Sequence, residues 1–422
     1  MSSVKPDITR VLLVYYYFPP YAAGGSYRPA KMAKYLPAFH IGPTIICADK
    51  IPYRPIDEDI AADVPRHLDI KRVPVRFENS AYYRLMYKLG CVPSLNARIK
   101  PETTIKWTND VLPLAKRLMD EKGIGTFLVS APPSSLVVLG TKLKEKTGKR
   151  FILEYRDPWT QGPFYKPPRE GLRGEFERME EDALRAADAV VMVTDTFAKL
   201  MIKRWPFLVD KIHVAPNGYD QDDLPKELLE PVGWSEKFVL AYAGSIYSGY
   251  HTDVFLDGLK LWFDKNPEAK VQTILSYMGF MDRRAKNYID KSGLSEIVEW
   301  NGYLHHRGAV AMISSADLLI LALPDVPNAG GHISAKIYEY MASGKPVLAS
   351  LPDGEMSRLV EESRCGWVVP PDKPEAIADK LEFLLKLHRE GALVVSPDAE
   401  YVGRFTRRKA AEKLAEVIRG LK

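Results

Sequence analysis

The sequence of 422 residues has few cysteines and lacks long apolar runs. Its three cysteines, Cys47, Cys91 and Cys365, lie too far apart along the chain for a disulfide framework or a clustered metal site. This usage fits a reducing compartment, so a cytoplasmic location is expected. The longest apolar stretches, such as residues 11–18 and 318–323, are much shorter than the ~20 residues that cross a bilayer. No charged leader precedes a cleavable apolar segment, so neither a spanning helix nor a secretion signal is predicted.

The composition shows neither a disordered character nor a strong excess of one charge. Hydrophobic residues make up 46 % and charged residues 27 % of the chain, which is ordinary for a folded protein, and the length predicts two or three domains. Residues 1–220 carry 34 lysines and arginines against 25 acidic residues, whereas residues 221–422 carry 25 against 29. Residues 64–150 alone hold 17 basic and 7 acidic residues. This asymmetry predicts two units with different partners, and the diffuse positive charge, without a recognised binding module, argues against nucleic acid.

Short apolar runs alternate with helical patterns along the chain. The first run, residues 10–18, is broken by prolines and glycines and followed by a helical pattern over 27–39. Further runs lie at 44–47, 126–129, 151–155, 189–193 and 211–214. After a polar, linker-like stretch through residue 233, runs recur at 238–242, 271–275, 318–321, 346–349 and 366–369. This alternation predicts an α/β protein with two doubly wound domains, over residues 1–220 and 221–404, and a C-terminal helix over 405–422.

The loop after the first run is a candidate anion site. Ligands of open α/β sheets bind beyond the carboxyl ends of the strands, so two such domains predict a cleft lined by these loops. Gly24 and Gly25, with Arg28 in the following helix, place exposed amides and a guanidinium beside a positive helix end, which suits a phosphate or carboxylate. The alternative is a tight turn, because the two glycines lack the full G-x-G-x-x-G spacing.

A second candidate follows the run at 151–155. Arg156, Asp157 and Trp159 come directly after this buried-type strand, and Pro158 turns the chain into a loop. Asp157 could accept a proton from a hydroxyl group or hold a sugar, and Trp159 offers a ring face to a sugar. In the alternative interpretation, the two charges pair with neighbouring helix ends and Trp159 belongs to the core.

The most informative segment of the second domain is a loop of turn residues that leads into a predicted helix over 335–342. Ser334 can cap this helix, and its free amides, such as that of Ile337, can bind a diphosphate together with Lys336. Glu339, about one turn further, could accept hydrogen bonds from two ribose hydroxyls. An ordinary capped helix is the alternative, but it would not require a carboxylate among apolar neighbours.

The histidines of the second domain do not indicate a metal site. His305 and His306 are adjacent, so on a helix their side chains would point about 100° apart, and His251 and His332 add no ligand spacing. No Asp-x-Asp pair flanked by apolar residues marks a nucleotide-bound Mg²⁺. Neither a metal nor a cofactor is predicted.

Together, these motifs resemble those of GT-B retaining glycosyltransferases of the family-four type, also described as glycosyl transferases group 1. The resemblance covers essentially the whole chain and rests on the order and spacing of Tyr-Tyr-Phe-Pro-Pro with Gly24-Gly25, and of residues 156–159, 217–220, 243–247 and 336–346. It implies a GT-B fold, two Rossmann-like domains that face a central cleft. The first domain would bind the acceptor and the second a nucleotide-activated sugar, and the tail helix would cross back onto the first domain.

The implied reaction moves a hexose-type sugar from a UDP- or GDP-type donor to a glycan or lipid-linked acceptor, with retained anomeric configuration and without a metal. Such a transferase would serve polysaccharide or glycoconjugate biosynthesis. Asp157 is then the catalytic candidate, as a positioning residue rather than a nucleophile, because a leaving-group oxygen could take the acceptor's proton. Arg156 and Trp159 become candidates for contact with the acceptor.

The resemblance also assigns donor-binding residues. Glu339 matches the glutamate that binds the donor ribose, and Gly24-Gly25 matches the loop near the diphosphate. Tyr303 and His305 fall near the pocket for the base.

Two departures from the family pattern concern the phosphate site. Gly331 stands where the family often has a second glutamate. Ser245 and Tyr250 stand where an arginine and a lysine commonly bind the diphosphate, and Ser245 is kept as a donor-binding candidate in that loop. Lys336, Arg28 or His251 would have to supply the missing charge.

Two other functions stay open at this point. A nucleotide-sugar epimerase on the same fold would act without an acceptor. A catalytically degenerate relative that binds a glycan or a partner would fit the departures at Gly331, Ser245 and Tyr250.

The stretch over residues 82–89, Tyr-Tyr-Arg-Leu-Met-Tyr-Lys-Leu, combines aromatic and basic residues within the positive region. It could lie on an anionic membrane, which would place the protein at the inner face of the membrane beside a lipid-linked acceptor. A helix packed on the first domain with solvated charges is the alternative.

Overall fold

The fold was analysed in a computed structural model, which describes residues 8–22, 24–52, 54–89, 91–92, 96, 98–224, 237–244 and 252–421. The chain divides into two compact units, Met1–Asn217 with Arg407–Lys422, and Gly218–Thr406. These divisions lie close to the expected boundaries at residues 220 and 404. The linker-like stretch through residue 233 lies mainly outside the described residues.

The first unit contains a parallel sheet that has seven strands among the described residues, in the order β3-β2-β1-β4-β5-β6-β7. The strands are Thr9–Tyr15 (β1), Ile41–Asp49 (β2), Asp69–Pro74 (β3), Thr126–Ala131 (β4), Arg150–Tyr155 (β5), Ala189–Met192 (β6) and Ile212–Val214 (β7). The central strands are apolar on both faces because helices cover both, and Val11 to Val14 are fully buried. Parallel pairing brings all carboxyl ends to one edge, so the loops that follow β1 and β5 share that edge.

Helices of the first unit pack on the two faces of this sheet. Their bounds are Tyr27–Tyr35, Glu58–Ala62, Ala81–Lys88, Ile105–Lys122, Ser135–Thr147, Arg173–Ala186, Asp195–Arg204 and Arg407–Gly420. The C-terminal helix Arg407–Gly420 lies against Tyr27–Tyr35 and buries Ala411 and Leu414 in the same apolar cluster as β1. The end of the chain therefore contributes to the core of the first unit.

The second unit repeats the design with a parallel sheet of six described strands, in the order β10-β9-β8-β11-β12-β13. The strands are Phe238–Ala243 (β8), Thr273–Met278 (β9), Val298–Trp300 (β10), Leu318–Ala322 (β11), Val347–Ser350 (β12) and Gly366–Val369 (β13). The helices are Thr252–Lys265, Pro267–Gln272, Arg283–Lys291, His306–Ser315, Lys336–Ser343, Glu355–Glu362, Pro374–Arg389 and Ala399–Val402.

The prediction of an α/β protein with two doubly wound domains is confirmed. Some element bounds differ from the expected ones. The helix predicted over 27–39 is an α-helix only over Tyr27–Tyr35 and continues as a 3₁₀ turn, and the run at 271–275 begins as the end of helix Pro267–Gln272. Two strands, β3 and β10, were not predicted. Across the described parts of the chain, every helix is too short or too polar to cross a bilayer.

Candidate active site

Three neighbouring strands of the second unit are followed by glycines at their carboxyl ends. Gly244, Gly279 and Gly302 follow β8, β9 and β10. Gly244 donates its amide to the Met278 carbonyl at 2.8 Å, and Gly279 donates to the Gly302 carbonyl at 2.7 Å. Gly279 has a φ of 130°, and a β-carbon there would overlap the Gly244 carbonyl oxygen. At the three glycines of this glycine edge no β-carbon stands between the backbone and a ligand, which allows a polar ligand to approach the backbone closely.

The Lys336 ammonium lies at the glycine edge. Lys336 begins the helix Lys336–Ser343, and its Nζ atom is 4.3 Å from the centre of the Tyr242 ring at the end of β8. A β-carbon on Gly244 would overlap this Nζ atom, so the ammonium contacts the backbone that follows β8. Among the described residues Lys336 has no carboxylate partner. The Tyr242 ring orients the charge, which stays available to an anion.

The start of this helix differs from the prediction. Ala335 is the N-cap residue and no side chain caps the helix there, so the expected Ser334 cap is wrong. The Ser334 amide points to the Met356 sulfur at 3.4 Å, and the Ile337 amide donates to the Ser334 carbonyl at 3.1 Å. The Ile337 side chain is fully buried. The positive charge at this end of the helix therefore comes from Lys336 and the helix dipole.

Glu339 projects one turn further along the same helix and is partly buried. Its neighbour Tyr340 accepts a hydrogen bond from the Ala243 amide through its hydroxyl oxygen at 3.1 Å. Burial raises the pKa of the Tyr340 hydroxyl, which keeps it neutral. This bond ties the helix to the end of β8, so Lys336 and Glu339 are presented on one fixed element beside the glycine edge.

A polar hollow of about 530 Å³ lies beyond β11 and β12 at the same carboxyl edge. It is lined by residues 325–330 and by Pro352 and Asp353. Gly331, at the position where the family often has a second glutamate, follows directly and is buried in a 3₁₀ turn.

The two predicted base-pocket residues lie past the end of β10. The Tyr303 side chain is 43 % exposed, and its ring meets the His305 ring edge to face at 5.8 Å. β10 and β8 are separated by β9, so the end of β10 lies roughly 10 Å along the edge from the end of β8. The donor-binding candidate Ser245 lies outside the described residues, as do Tyr250, at the second departure from the family pattern, and His251, a possible source of the missing charge.

In the first unit, Arg28 is committed to the core. Its side chain is 2 % exposed, and its Nε atom lies 2.9 Å from a Glu154 carboxylate oxygen on β5. Its Nη1 atom also donates to the Pro216 carbonyl at 3.0 Å. The guanidinium that was expected to hold a phosphate is thus buried, with Nε committed to Glu154 and Nη1 to Pro216, which favours a structural role for Arg28. Gly24, in the preceding turn, faces open space.

Arg156 holds the loop that contains Gly24 and Gly25 in place. Its guanidinium donates to the carbonyls of Gly25 at 2.7 Å, of Ala131 at 3.3 Å and of Pro132. A β-carbon on Gly25 would overlap the Arg156 Nη1 atom, so a larger residue there would displace this guanidinium. Burial lowers the pKa of Arg156, and three carbonyl acceptors compensate its charge. Arg156 therefore fixes the loop that follows β1 against the ends of β4 and β5.

Trp159 lies in the core, as the alternative interpretation expected. Its side chain is 8 % exposed, and its ring packs on Phe176 of helix Arg173–Ala186 with 5.6 Å between ring centres. Asp157, two residues earlier, is partly exposed at the carboxyl end of β5. Of the two side chains, Asp157 is the one that a ligand can reach at this edge.

Glu180, which sequence reasoning missed, organises the loop that carries Asp157. Its carboxylate is fully buried and accepts the Trp159 amide at 3.1 Å, the Thr160 amide at 2.8 Å and the Thr160 hydroxyl. Burial raises the pKa of this carboxyl. The sequence held a signal for this role, because Glu180 stands four residues after Phe176 on the buried face of its helix.

Solved structures with the same architecture define the class. The Anabaena protein HepE, in complex with UDP and glucose, superposes with a TM-score of 0.67 at 17 % identity over 97 % of this chain and 98 % of that chain. Sucrose-phosphate synthase from Thermosynechococcus elongatus gives a TM-score of 0.64 at 15 % identity over 98 % and 94 %. A putative UDP-N-acetylglucosamine 2-epimerase from Listeria monocytogenes gives 0.58 at 11 % identity over 98 % and 97 %. At sequence identities this low, the similarity shows a shared fold alone. That fold is GT-B.

Sequence comparison identifies the family. The model "Glycosyltransferase Family 4" matches residues 59–223, and the model "Glycosyl transferases group 1" matches residues 237–387. The two matches follow one another and cover both units, and the chain belongs to the group 1, family-four glycosyltransferases.

Two glycosyltransferases are similar to this chain in sequence over part of their length. Alpha-D-kanosaminyltransferase of Streptomyces kanamyceticus is 24 % identical over 49 % of this chain and 53 % of its own length. The putative colanic acid biosynthesis glycosyltransferase WcaL of Escherichia coli is 32 % identical over 34 % of this chain and 36 % of its own length. The chain thus spans about half of the first relative and about a third of the second.

Proposed function

We propose that the protein is a retaining glycosyltransferase that moves a sugar from a UDP- or GDP-type donor to a glycan or lipid-linked acceptor in polysaccharide biosynthesis. The observation that carries this proposal is the Lys336 ammonium beside Gly244, at the head of the helix that presents Glu339. A cation without a carboxylate partner among the described residues, a helix start and a glycine-lined edge together suit a diphosphate. The relatives named for glycosyl transfer and the neighbour complexed with UDP and glucose support the same class of ligand.

In the proposed reaction, the bond between the anomeric carbon and the leaving diphosphate oxygen breaks. The acceptor hydroxyl oxygen bonds to that carbon on the same face, and its proton passes to the leaving oxygen. Negative charge therefore grows on the diphosphate, where Lys336 and the helix dipole stabilise it. Asp157 positions the acceptor hydroxyl, and no metal is required.

A donor-binding test addresses Glu339. Glu339→Ala is expected to weaken nucleotide-sugar binding about tenfold to a hundredfold, because two hydrogen bonds from the ribose to a carboxylate are lost. Isothermal titration calorimetry with UDP- and GDP-sugars measures this directly. Glu361→Ala, an exposed glutamate of the same unit, is the matched control. Equal donor affinity in the two variants would contradict the role of Glu339.

Product analysis separates the proposed transferase from the alternatives. A screen of nucleotide sugars by thermal shift is followed by mass spectrometry of the products, with and without a glycan acceptor. A transferase releases nucleoside diphosphate and extends the acceptor. Isomerised sugar without acceptor would indicate an epimerase instead, and donor-induced stabilisation without any product would indicate a binding protein.

We also propose that helix Ala81–Lys88 contacts an anionic membrane from the cytoplasmic side. The helix has no buried residue, so the alternative of a helix packed on the domain loses support. Tyr82, Leu85 and Leu89 follow one another at spacings of three and four, which puts them on one face, and they are 54 %, 55 % and 64 % exposed. Arg84 and Lys88 add positive charge beside this face.

Vesicle binding tests the membrane contact. The double variant Tyr82→Ser, Leu85→Ser is expected to lower binding to phosphatidylserine-containing vesicles at least about tenfold, because each buried apolar side chain contributes about 1.5 kcal/mol or more. Co-sedimentation measures the bound fraction. Val209→Ser, at an apolar residue that is 60 % exposed elsewhere in the same unit, is the control. Binding that is independent of the anionic lipid, or equal in both variants, would rule out this contact.

A further inference from the structure

A second hollow in the first unit, of about 380 Å³, is not used by the reaction described above. It is lined by Arg76, Phe77, Lys106, Trp107 and Asp110. Arg76 and Phe77 follow β3, so the hollow opens at the carboxyl edge of the sheet, the edge that also carries Gly25 and Asp157.

The walls of the hollow are held in place. The Trp107 side chain is 2 % exposed, and its indole N–H donates to the Val73 carbonyl on β3 at 3.0 Å. The Val75 amide donates to the Asp49 carbonyl at 3.1 Å, which continues the pairing of β3 with β2. A ligand would therefore enter a preformed site, which lowers the cost of binding.

The charges at the hollow suit a phosphate attached to a hydroxyl-bearing group. Arg76 and Lys106 are exposed, and among the described residues neither has an ion-pair or hydrogen-bond partner. A guanidinium and an ammonium at one site can share the oxygens of a phosphate. Asp110 is also exposed on this wall, and its carboxylate can accept a hydrogen bond from a neighbouring sugar hydroxyl.

The surroundings of the hollow favour a lipid as the carrier of that phosphate. The Phe77 ring contacts Tyr82 and Tyr83 of helix Ala81–Lys88, with 6.5 and 5.9 Å between ring centres. The exposed apolar face of that helix therefore begins beside the hollow. A helix that lies in a membrane interface buries its apolar face just below the headgroups, so the hollow would lie at the depth of lipid phosphates.

The hollow also connects to the loop that follows β1. The Trp107 ring packs edge to face on Tyr16, directly after β1, with 5.2 Å between ring centres. β3 and β1 are separated by β2 and lie roughly 10 Å apart. A saccharide attached to a phosphate at the end of β3 could thus extend along this edge of the sheet toward the loop of Gly24 and Gly25, which follows β1.

From this arrangement we infer that the hollow beside Trp107 binds the phosphate of a lipid-linked sugar, with Arg76 and Lys106 on the phosphate and Asp110 on a sugar hydroxyl. The inference rests on the proposed function, because it names the acceptor class of that transfer. It adds a phosphate-specific site to the general attraction between the basic region and an anionic surface.

Vesicles of phosphatidylcholine with phosphatidic acid provide the probe. The double variant Arg76→Gln, Lys106→Gln is expected to bind them about 30-fold more weakly than wild type, since two cations near the surface are lost. Lys116→Gln, Arg117→Gln is the matched control, because it removes the same charge from exposed positions of the same helix, Ile105–Lys122. Circular dichroism checks that each variant is folded.

Three outcomes decide the matter. A larger loss in the Arg76, Lys106 variant than in the control supports the site. Equal losses in the two double variants would overturn it, and so would full competition by soluble glycerol phosphate, which would make the lipid unnecessary. Calorimetry on wild-type protein with nucleotide sugars keeps the proposals apart. Failure to bind any nucleotide sugar would overturn the proposed function, whereas the conclusion about phosphate binding at the hollow would still depend on the vesicle measurements alone.

Discussion

Replacing Lys336 by glutamine is expected to lower turnover by about a hundredfold to a thousandfold, the range seen when one preorganised group is removed from a developing anion. The expectation follows from its geometry. The Nζ atom lies over the Tyr242 ring and against Gly244, with no carboxylate partner in the described part of the chain. The resemblance to the family implies that Ser245 and Tyr250 stand where an arginine and a lysine are common, so Lys336 is expected to neutralise more of the diphosphate charge.

The control and the readout make this prediction specific. Lys386→Gln removes the same charge from an exposed position on helix Pro374–Arg389 of the same unit and is expected to leave turnover unchanged. Single-turnover kinetics separate the chemical step from donor binding. A Lys336→Gln enzyme with wild-type turnover would show that the anion is stabilised by other groups, and the proposed diphosphate position would have to be abandoned.

The sheet cores could be predicted from sequence because their strands are apolar on both faces. β5 and β11 lie almost where the apolar runs placed them. The two strands that were missed, β3 and β10, are edge strands of their sheets, as are β7 and β13, which the apolar runs did mark. Charged residues interrupt both β3 (Asp-Ile-Lys-Arg-Val-Pro) and β10 (Val-Glu-Trp), so neither produces a continuous apolar run. The missed strands are thus those that local hydrophobicity does not mark.

The roles of single charged residues depended on partners that are distant in sequence. Arg28 is separated from Glu154 by 126 positions, and no local pattern indicates that the two side chains are paired in the core. Arg156 bonds to carbonyls of the β1 and β4 loops, which the order of the motifs could not reveal. Removing one partner of a buried pair such as Arg28 and Glu154 leaves an uncompensated charge, so these residues matter for folding.

The relative placement of Lys336 and Glu339 could be predicted better than that of Arg28 and Arg156, because both lie on one short helix. Helical geometry fixes their separation at about one turn, whatever the tertiary context. The orientation of Lys336 toward β8 could not be anticipated, since it depends on the Tyr242 ring and on the missing side chain of Gly244.

Replacing Glu180 by glutamine is expected to lower the rate of transfer about tenfold while the affinity for the donor stays unchanged. Both carboxylate oxygens accept hydrogen bonds from the segment that follows Asp157, at the amides of Trp159 and Thr160. A glutamine offers one acceptor oxygen and turns an N–H toward the other donor, which leaves a buried amide unpaired at a cost of about 1–3 kcal/mol. The segment then shifts, and Asp157 moves with it.

The test of Glu180 must distinguish positioning from general destabilisation. Asp182→Asn is the matched control, because it makes the same change from carboxylate to amide at an exposed position of helix Arg173–Ala186. Steady-state kinetics with varied acceptor, calorimetry with donor and thermal unfolding are measured together for both variants. Glu180→Gln is expected to reduce kcat and raise the acceptor KM with an unaltered donor Kd, since Lys336 and Glu339, on which the proposed donor site rests, belong to the second unit. If thermal stability falls but the acceptor kinetics remain those of wild type, Glu180 serves the fold alone, and the Asp157 loop does not need its support for transfer.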